Sequence, residues 1–446
     1  MSTESAPSSR PWYTRLGPGV ITACVVIGPG SILTSSRVGA NEQYSMLWVV
    51  AGSVVFMMLF MTLGARLGVL AEKSPADLIR DRGGKYGNGL AILVGCCAFF
   101  ISAAFQSGNN IGVGAAFEAF VDRKELVAGL VVLFNVIAIS FLFVFKDLYK
   151  MLERVMMAFV GLMLICFAIN LVSLKPDWVA MLGGLIPSGG KSGGNRPNTD
   201  LVLDCLALAG TTFVITAGYY QAYLVRQKGW KESELKSGLL DARIGSVIMF
   251  LITLMLMSTA AAALYKPGIP VLLKNPIAIA NSLEGTFGPS AKIIFCLGLF
   301  SAAYSSFLVN SMIGGFILAD SLNLGSRPTD KWPRIMTTAA LLTGMVIALA
   351  VILLGFDRTP TVIFAQAVTV LGAPLIALVL LWLTASERVL GPAKNSFAVN
   401  MAGLIGVLLL VGMAWRTAFY SIPDSWEKWN TASATQSESS EAAADE

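Results

Sequence analysis

Histidine, the side chain most often used for acid–base and metal chemistry near neutral pH, is absent from this chain. That absence removes His-Glu-x-x-His zinc sites, Ser-His-Asp triads and the usual proton carrier near neutral pH. The six cysteines, Cys24, Cys96, Cys97, Cys166, Cys205 and Cys296, all fall inside apolar stretches, where a small polarisable side chain packs well and no loop needs a staple. Side chains able to hold a ligand are concentrated in a few places. One run is Gln106-Ser107-Gly108-Asn109-Asn110, a second extends from Thr211 through Thr216, Ala217, Gly218 and Tyr219 to Gln221, and a third holds Ser301, Tyr304, Ser305, Ser306, Asn310 and Ser311, with Gln366 further on. Amides and hydroxyls in apolar surroundings can line a solute pathway, and they also glue helices together with no transport role.

Two motifs that would signal an enzyme fail. Gly190-Lys191-Ser192 looks like the end of a phosphate-binding loop, but G-x-x-x-x-G-K-[ST] needs glycine at 185, where Leu185 stands. The run Gly189 to Gly194 reads instead as a flexible linker. The pairs Asp77/Asp81 and Asp200/Asp204 have the spacing of a magnesium diphosphate site, yet they precede different apolar segments and are expected on opposite sides of a membrane. Asp241 and Arg243, two apart, do not face each other on a helix. Neither a catalytic role nor a cofactor is expected, and a modest excess of 32 Lys and Arg over 27 Asp and Glu gives no reason to expect nucleic acid as a partner.

The elements that must position these polar runs are membrane spans. Of 446 residues, 55% are apolar and only 13% charged, with a mean hydropathy of +0.70, against roughly 25% charged in soluble proteins. Eleven charge-free segments are each long enough to cross a hydrocarbon core: 17–36, 45–65, 88–117, 126–145, 155–174, 205–225, 244–265, 293–319, 335–356, 359–386 and 395–415. With the N-terminus in the cytoplasm, the cytoplasmic tail and loops hold 19 Lys and Arg against 12 on the other side, apart from Arg243 at a segment start, as the positive-inside rule requires. An inner-membrane protein with an external C-terminus is expected. The chain divides into a cytoplasmic tail (1–16), a first five-helix repeat (17–174), an external loop (175–204), a second five-helix repeat (205–386), a loop and eleventh helix (387–415) and an acidic tail (416–446).

Segment one contains Gly28-Pro29-Gly30-Ser31, and proline flanked by glycines interrupts a helix. Segment six carries glycine with β-branched and hydroxyl residues between Gly210 and Gln221, so a second interruption is expected near 214–218. Broken helices five segments apart point to an inverted five-plus-five repeat with a substrate site at mid-depth; two packing kinks would leave the same signs.

Several stretches together resemble the Nramp family of divalent-metal transporters. Segment one is similar to the family's first helix. Gly288-Pro289 followed by Leu297-Gly298-Leu299-Phe300-Ser301-Ala302-Ala303-Tyr304-Ser305-Ser306 resembles the eighth, and Phe364-Ala365-Gln366 with Ala373-Pro374 and Thr384-Ala385-Ser386-Glu387-Arg388-Val389-Leu390-Gly391 resembles the tenth. The resemblance runs from about residue 16 to 394 and implies an all-α LeuT-like fold with about eleven helices, alternating access, and normally proton-coupled import of manganese or iron. The departures fall on the site. Where the family has Asp-Pro-Gly-Asn this chain has Gly28-Pro29-Gly30-Ser31, and where it has Met-Pro-His-Asn an ungapped alignment gives Val214-Ile215-Thr216-Ala217. The family's Asp-Leu-Ala-Glu becomes Gln106-Ser107-Gly108-Asn109, and a second histidine becomes Gln221. Gly28, Ser31 and Val214 therefore occupy the usual metal-ligand positions.

Soft thioethers favour transition metals and carboxylates offset ion dehydration; neither aligns with the family's ligand positions. The expected substrate is a divalent cation held loosely, such as magnesium, which keeps its water. A neutral or zwitterionic solute, and a sensor that transports nothing, remain open. The site is expected to comprise Gly28, Pro29, Gly30, Ser31, Gln106, Asn109, Thr211, Val214, Thr216, Ala217, Gly218, Tyr219, Gln221 and Gln366. Proton coupling is not expected, and Glu118, Glu153, Asp204 and Asp241, towards segment ends, are expected to be solvated or paired with neighbouring Arg or Lys.

Overall fold

The computed structural model describes residues 16–145, 147–187, 198–271, 273, 276–354 and 358–421, and the regular structure among them is entirely helical. The glycine-rich linker and nearly all of the acidic tail lie outside the described residues. Segment one forms two helices, α1 (Pro18–Val26) and α2 (Pro29–Glu42), whose axes meet at 60°. Pro29 opens α2, where its missing N–H leaves no intrahelical bond unmade, and Gly28 before it is extended (φ −110°, ψ 178°). The rest of the first repeat is α3 (Leu47–Leu70), a short α4 (Pro75–Gly83), α5 (Gly87–Glu118), α6 (Lys124–Val144) and α7 (Leu148–Ser173).

After a one-turn α8 (Trp178–Gly183), the second repeat opens with its own broken pair, α9 (Asn198–Thr212) and α10 (Ile215–Lys228). The interruption is Phe213-Val214, at the near edge of the expected 214–218. Thr211 and Thr212 explain the shift: both hydroxyls bond back to the Leu208 carbonyl, at 3.2 and 2.8 Å, and such bonds compete with the helix ladder. The Ala217 N–H already reaches the Val214 carbonyl at 3.0 Å, so Thr216, Ala217, Gly218 and Tyr219 are helical. The repeat continues with α11 (Leu235–Leu264), a helix in the following loop, α12 (Pro276–Phe287), and then α13 (Pro289–Ser321), α14 (Lys331–Leu354) and α15 (Arg358–Thr384). Short α16 (Glu387–Leu390) precedes the last long helix, α17 (Phe397–Arg416). Among the described residues, eight helices are by themselves long and apolar enough to cross a membrane, and the α1/α2 pair passes the same test as one bent span.

The broken helices lie inside the bundle. All of α1 is buried, against α7, α10, α11 and α13, while α2 packs on α11 and α9. Close approach depends on small residues: a Cβ on Gly112 of α5 would strike the Pro29 ring, and one on Gly64 of α3 would strike the Gly218 carbonyl. Val132, Val136, Leu404 and Leu408, by contrast, point outward from α6 and α17, leaving an apolar belt suited to acyl chains.

Candidate functional site

The α1/α2 break is held by hydroxyls placed on its own carbonyls. Ser31 Oγ lies 2.6 Å from the Val26 carbonyl and 3.0 Å from that of Thr211, the last turn of α9, so a single side chain ties the two breaks together. Ser306 of α13 donates to the Val25 carbonyl at 3.2 Å. A Cβ on Gly28 would sit 3.2 Å from both Asn109 Oδ1 and Ser306 Oγ, so Gly28 is where α1, α5 and α13 converge. One turn below, Thr22 donates to Gln221 Oε1 at 2.5 Å and thereby joins α1 to α10.

Around this junction, buried polar atoms lack partners. Gln106 donates to the Phe307 carbonyl at 2.7 Å, but its Oε1 has no partner among the described residues, and the same is true of Asn109 Nδ2, Thr216 Oγ1 and Gln221 Nε2. Each unpaired buried group costs about 1–3 kcal/mol, and amides can turn over to present oxygen or nitrogen. The carbonyl ends of α1 and α9 both face the junction, and such ends carry partial negative charge. Together they form a neutral set of unpaired hydroxyl and amide groups, both oxygens and N–H donors, beside the negative ends of two half-helices and without a carboxylate.

Gly28, Pro29, Gly30, Ser31, Asn109, Thr211 and Val214 lie at or beside the two breaks, with Gln106, Thr216 and Ala217 within about a turn and Gln221 about two turns along α10. Gly218 packs on Phe60 of α3, and the Tyr219 ring lies tilted against that of Tyr223, with centres 6.1 Å apart, on the flank of α10 near Asp320. Gln366 lies on α15, with its side chain outside the described residues. Sequence reasoning left Thr22 and Ser306 out of the site. Ser306 belonged to a polar run that marked it; Thr22 is the one hydroxyl between Pro18 and Val26 and carried no signal. Among the described residues, no three His, Cys, Asp or Glu side chains converge as a metal-holding group.

The acids lie elsewhere. Asp204 pairs with Arg37 at 2.9 Å, joining α9 to α2, and Glu153 pairs with Lys228 at 2.6 Å. Asp241 departs from its expected pairing with Arg or Lys: it is 1% exposed and accepts the Gly17 and Gly19 N–H groups at 2.8 and 2.5 Å. The first N–H groups of a helix have no intrahelical partner, and a carboxylate satisfies them. Asp320, another acid missed in sequence, accepts from Ser74 and Tyr223 hydroxyls at 2.7 and 2.6 Å.

Two discontinuous helices crossing inside an apolar bundle, with unpaired polar groups at their junction, define a multi-pass membrane protein of LeuT-like, five-plus-five architecture. The family description "Natural resistance-associated macrophage protein-like" matches residues 19–419, and the chain belongs to this Nramp family. It is 27% identical over 416 residues to the divalent metal cation transporter MntH of Yersinia enterocolitica, covering 93% of this chain and 96% of that one. Its identity to the MntH of Granulibacter bethesdensis is 23%, over 93% and 90% of the two chains. In fold it resembles the Eremococcus coleocola manganese transporter in complex with an aromatic bis-isothiourea substituted compound (TM-score 0.74, 19% identity, 93% and 88% covered). It resembles MhsT in complex with L-phenylalanine more distantly (TM-score 0.55, 18% identity, 89% and 98% covered).

Proposed function

We propose that this chain carries a divalent metal cation across the inner membrane by alternating access, taking the ion with much of its water in place. Its N-terminus is cytoplasmic and its C-terminus external. The observation that carries this reading is the pair of buried oxygens without a partner among the described residues, Gln106 Oε1 and Thr216 Oγ1, with Asn109 Oδ1 facing Gly28 near the two half-helix carbonyl ends. Water molecules held by a cation are strong donors, and amide and hydroxyl oxygens are suitable acceptors for them. A bare ion would face a desolvation penalty of several kcal/mol with no carboxylate to offset it. Magnesium, which sheds water reluctantly, fits this lining better than manganese or iron.

Transport runs down the substrate gradient without a coupled proton, because the groups lining the junction, Gln106, Asn109, Thr216 and Gln221, do not titrate, and transporters that couple to protons commonly use Asp, Glu or His. The decisive test is uptake by proteoliposomes containing the purified chain and an internal pH dye, with magnesium, manganese and a panel of neutral and zwitterionic amino acids. The expected outcome is magnesium uptake at least equal to manganese, with no acidification. Strong preference for manganese, or acidification abolished by Asp241→Asn, would sink the reading. Amino-acid uptake alone would replace it with a solute carrier, and no uptake at all with a sensor.

A further inference from the structure

At the end of the bundle that carries α4, a cleft of about 420 Å³ opens between the end of α3, α4 and α16. Its lining holds Lys73, Arg82 and Arg388 against Glu72 and Asp81. Lys73 and Asp81 pair at 2.6 Å, and that hydrogen bond holds the Lys73 pKa above the ordinary lysine value. Arg82 Cζ lies over the Trp382 ring, 4.2 Å from its centre, and the guanidinium donates to the Trp382 carbonyl. Arg388, on the other wall, has no carboxylate partner among the described residues. Two guanidiniums thus line one space, Arg82 held on Trp382 and Arg388 without a carboxylate partner among the described residues; of the two acids in the lining, Asp81 is taken by Lys73 and Glu72 stands beside them.

We propose that this cleft binds a phosphate-bearing anion between Arg82 and Arg388, and that its source is the headgroup of an anionic phospholipid in the surrounding bilayer. Planar guanidinium forks match phosphate oxygens in pairs, which an ammonium does not. The cleft opens where the spans α3 and α15 end, at the depth of the headgroups, and tryptophan beside arginine is characteristic of that layer. The site also reaches the broken helix: Arg226, in the last turn of α10, donates to the Ala71 carbonyl at 3.0 Å, and Ala71 lines the cleft. An anion bridging Arg82 of α4 and Arg388 of α16 therefore fastens these two elements to each other beside the end of α3.

The test uses the full chain in nanodiscs of mixed phosphatidylglycerol and phosphatidylcholine, released gently and weighed by native mass spectrometry. Wild type is expected to retain phosphatidylglycerol in preference to phosphatidylcholine, and Arg388→Gln to weaken that retention about tenfold, the loss of roughly one good charge-assisted contact. Arg388 holds no ion pair among the described residues, so its substitution leaves the fold intact, and a melting curve checks this. Arg388→Lys, which keeps the charge and loses the fork, is expected to fall between the two. Arg123→Gln, on the opposite end of the bundle, is expected to change nothing. Inorganic phosphate that competes the lipid away at millimolar concentration would keep the phosphate site and move its source to the soluble pool. Equal retention of phosphatidylglycerol by wild type and Arg388→Gln would overturn the proposal.

Discussion

The middle of this bundle and its ends differ in where charge is placed, although polar atoms unpaired among the described residues, such as those of Gln227 and Ser321, occur at the ends as well. At mid-depth, around Gly28, Asn109, Thr216 and Gln221, there is no charge, and several buried polar atoms are unpaired among the described residues. Towards the ends, Asp241, Asp320, Glu153 and Asp204 are buried or half-buried, and each has a defined partner. An unpaired group in a packed interior is a standing penalty unless something else fills its valence, whereas a carboxylate accepting N–H or O–H donors stabilises what it joins. The contrast separates two tasks. The paired acids at the ends fix the half-helices to their neighbours, and under the function proposed above the unpaired groups of the middle would serve a mobile occupant.

The largest effect expected from this contrast is at the ends. Asp241→Ala removes the acceptor for two buried N–H groups at the start of α1, and is expected to lower stability by about 3 kcal/mol. Thermal unfolding in detergent measures it, and an unchanged melting temperature would mean that α1 is held by apolar packing alone. Next comes the reverse experiment at the middle. Gly28→Asp places a carboxylate beside Asn109 and Ser306 and restores the residue type that the family resemblance assigns to that position. Manganese affinity by calorimetry is expected to rise about tenfold or more, equivalent to roughly 1.4 kcal/mol. No gain would show that the lining around Gly28 is not where a cation sits.

The smallest effect on stability discriminates best. Thr216→Val deletes a hydroxyl that has no partner among the described residues, so the melting temperature is expected to hold or rise slightly, by less than about 1 kcal/mol in stability. Magnesium uptake in proteoliposomes is nevertheless expected to fall several-fold. If uptake is unchanged while stability rises, the unpaired groups at mid-depth are packing defects and the contrast between middle and ends loses its functional meaning.

The sequence by itself determined the spans, because about twenty apolar residues without charge suit a bilayer core, and it determined the first break, because Pro29 flanked by Gly28 and Gly30 disfavours a continuous helix more than a lone proline such as Pro374 inside α15. It also determined that the positions expected to line the site carry no carboxylate, since that is a matter of residue type alone. Only the tertiary structure decided where α9 ends, because glycine, threonine and valine between 210 and 218 permit a break at several places and the threonine hydroxyls selected one. It alone brought Ser31 onto carbonyls of both breaks and Asp241 onto the first turn of α1, 222 residues away. A carboxylate's role depends on which donor reaches it, and donors from distant helices have no trace in local spacing or composition.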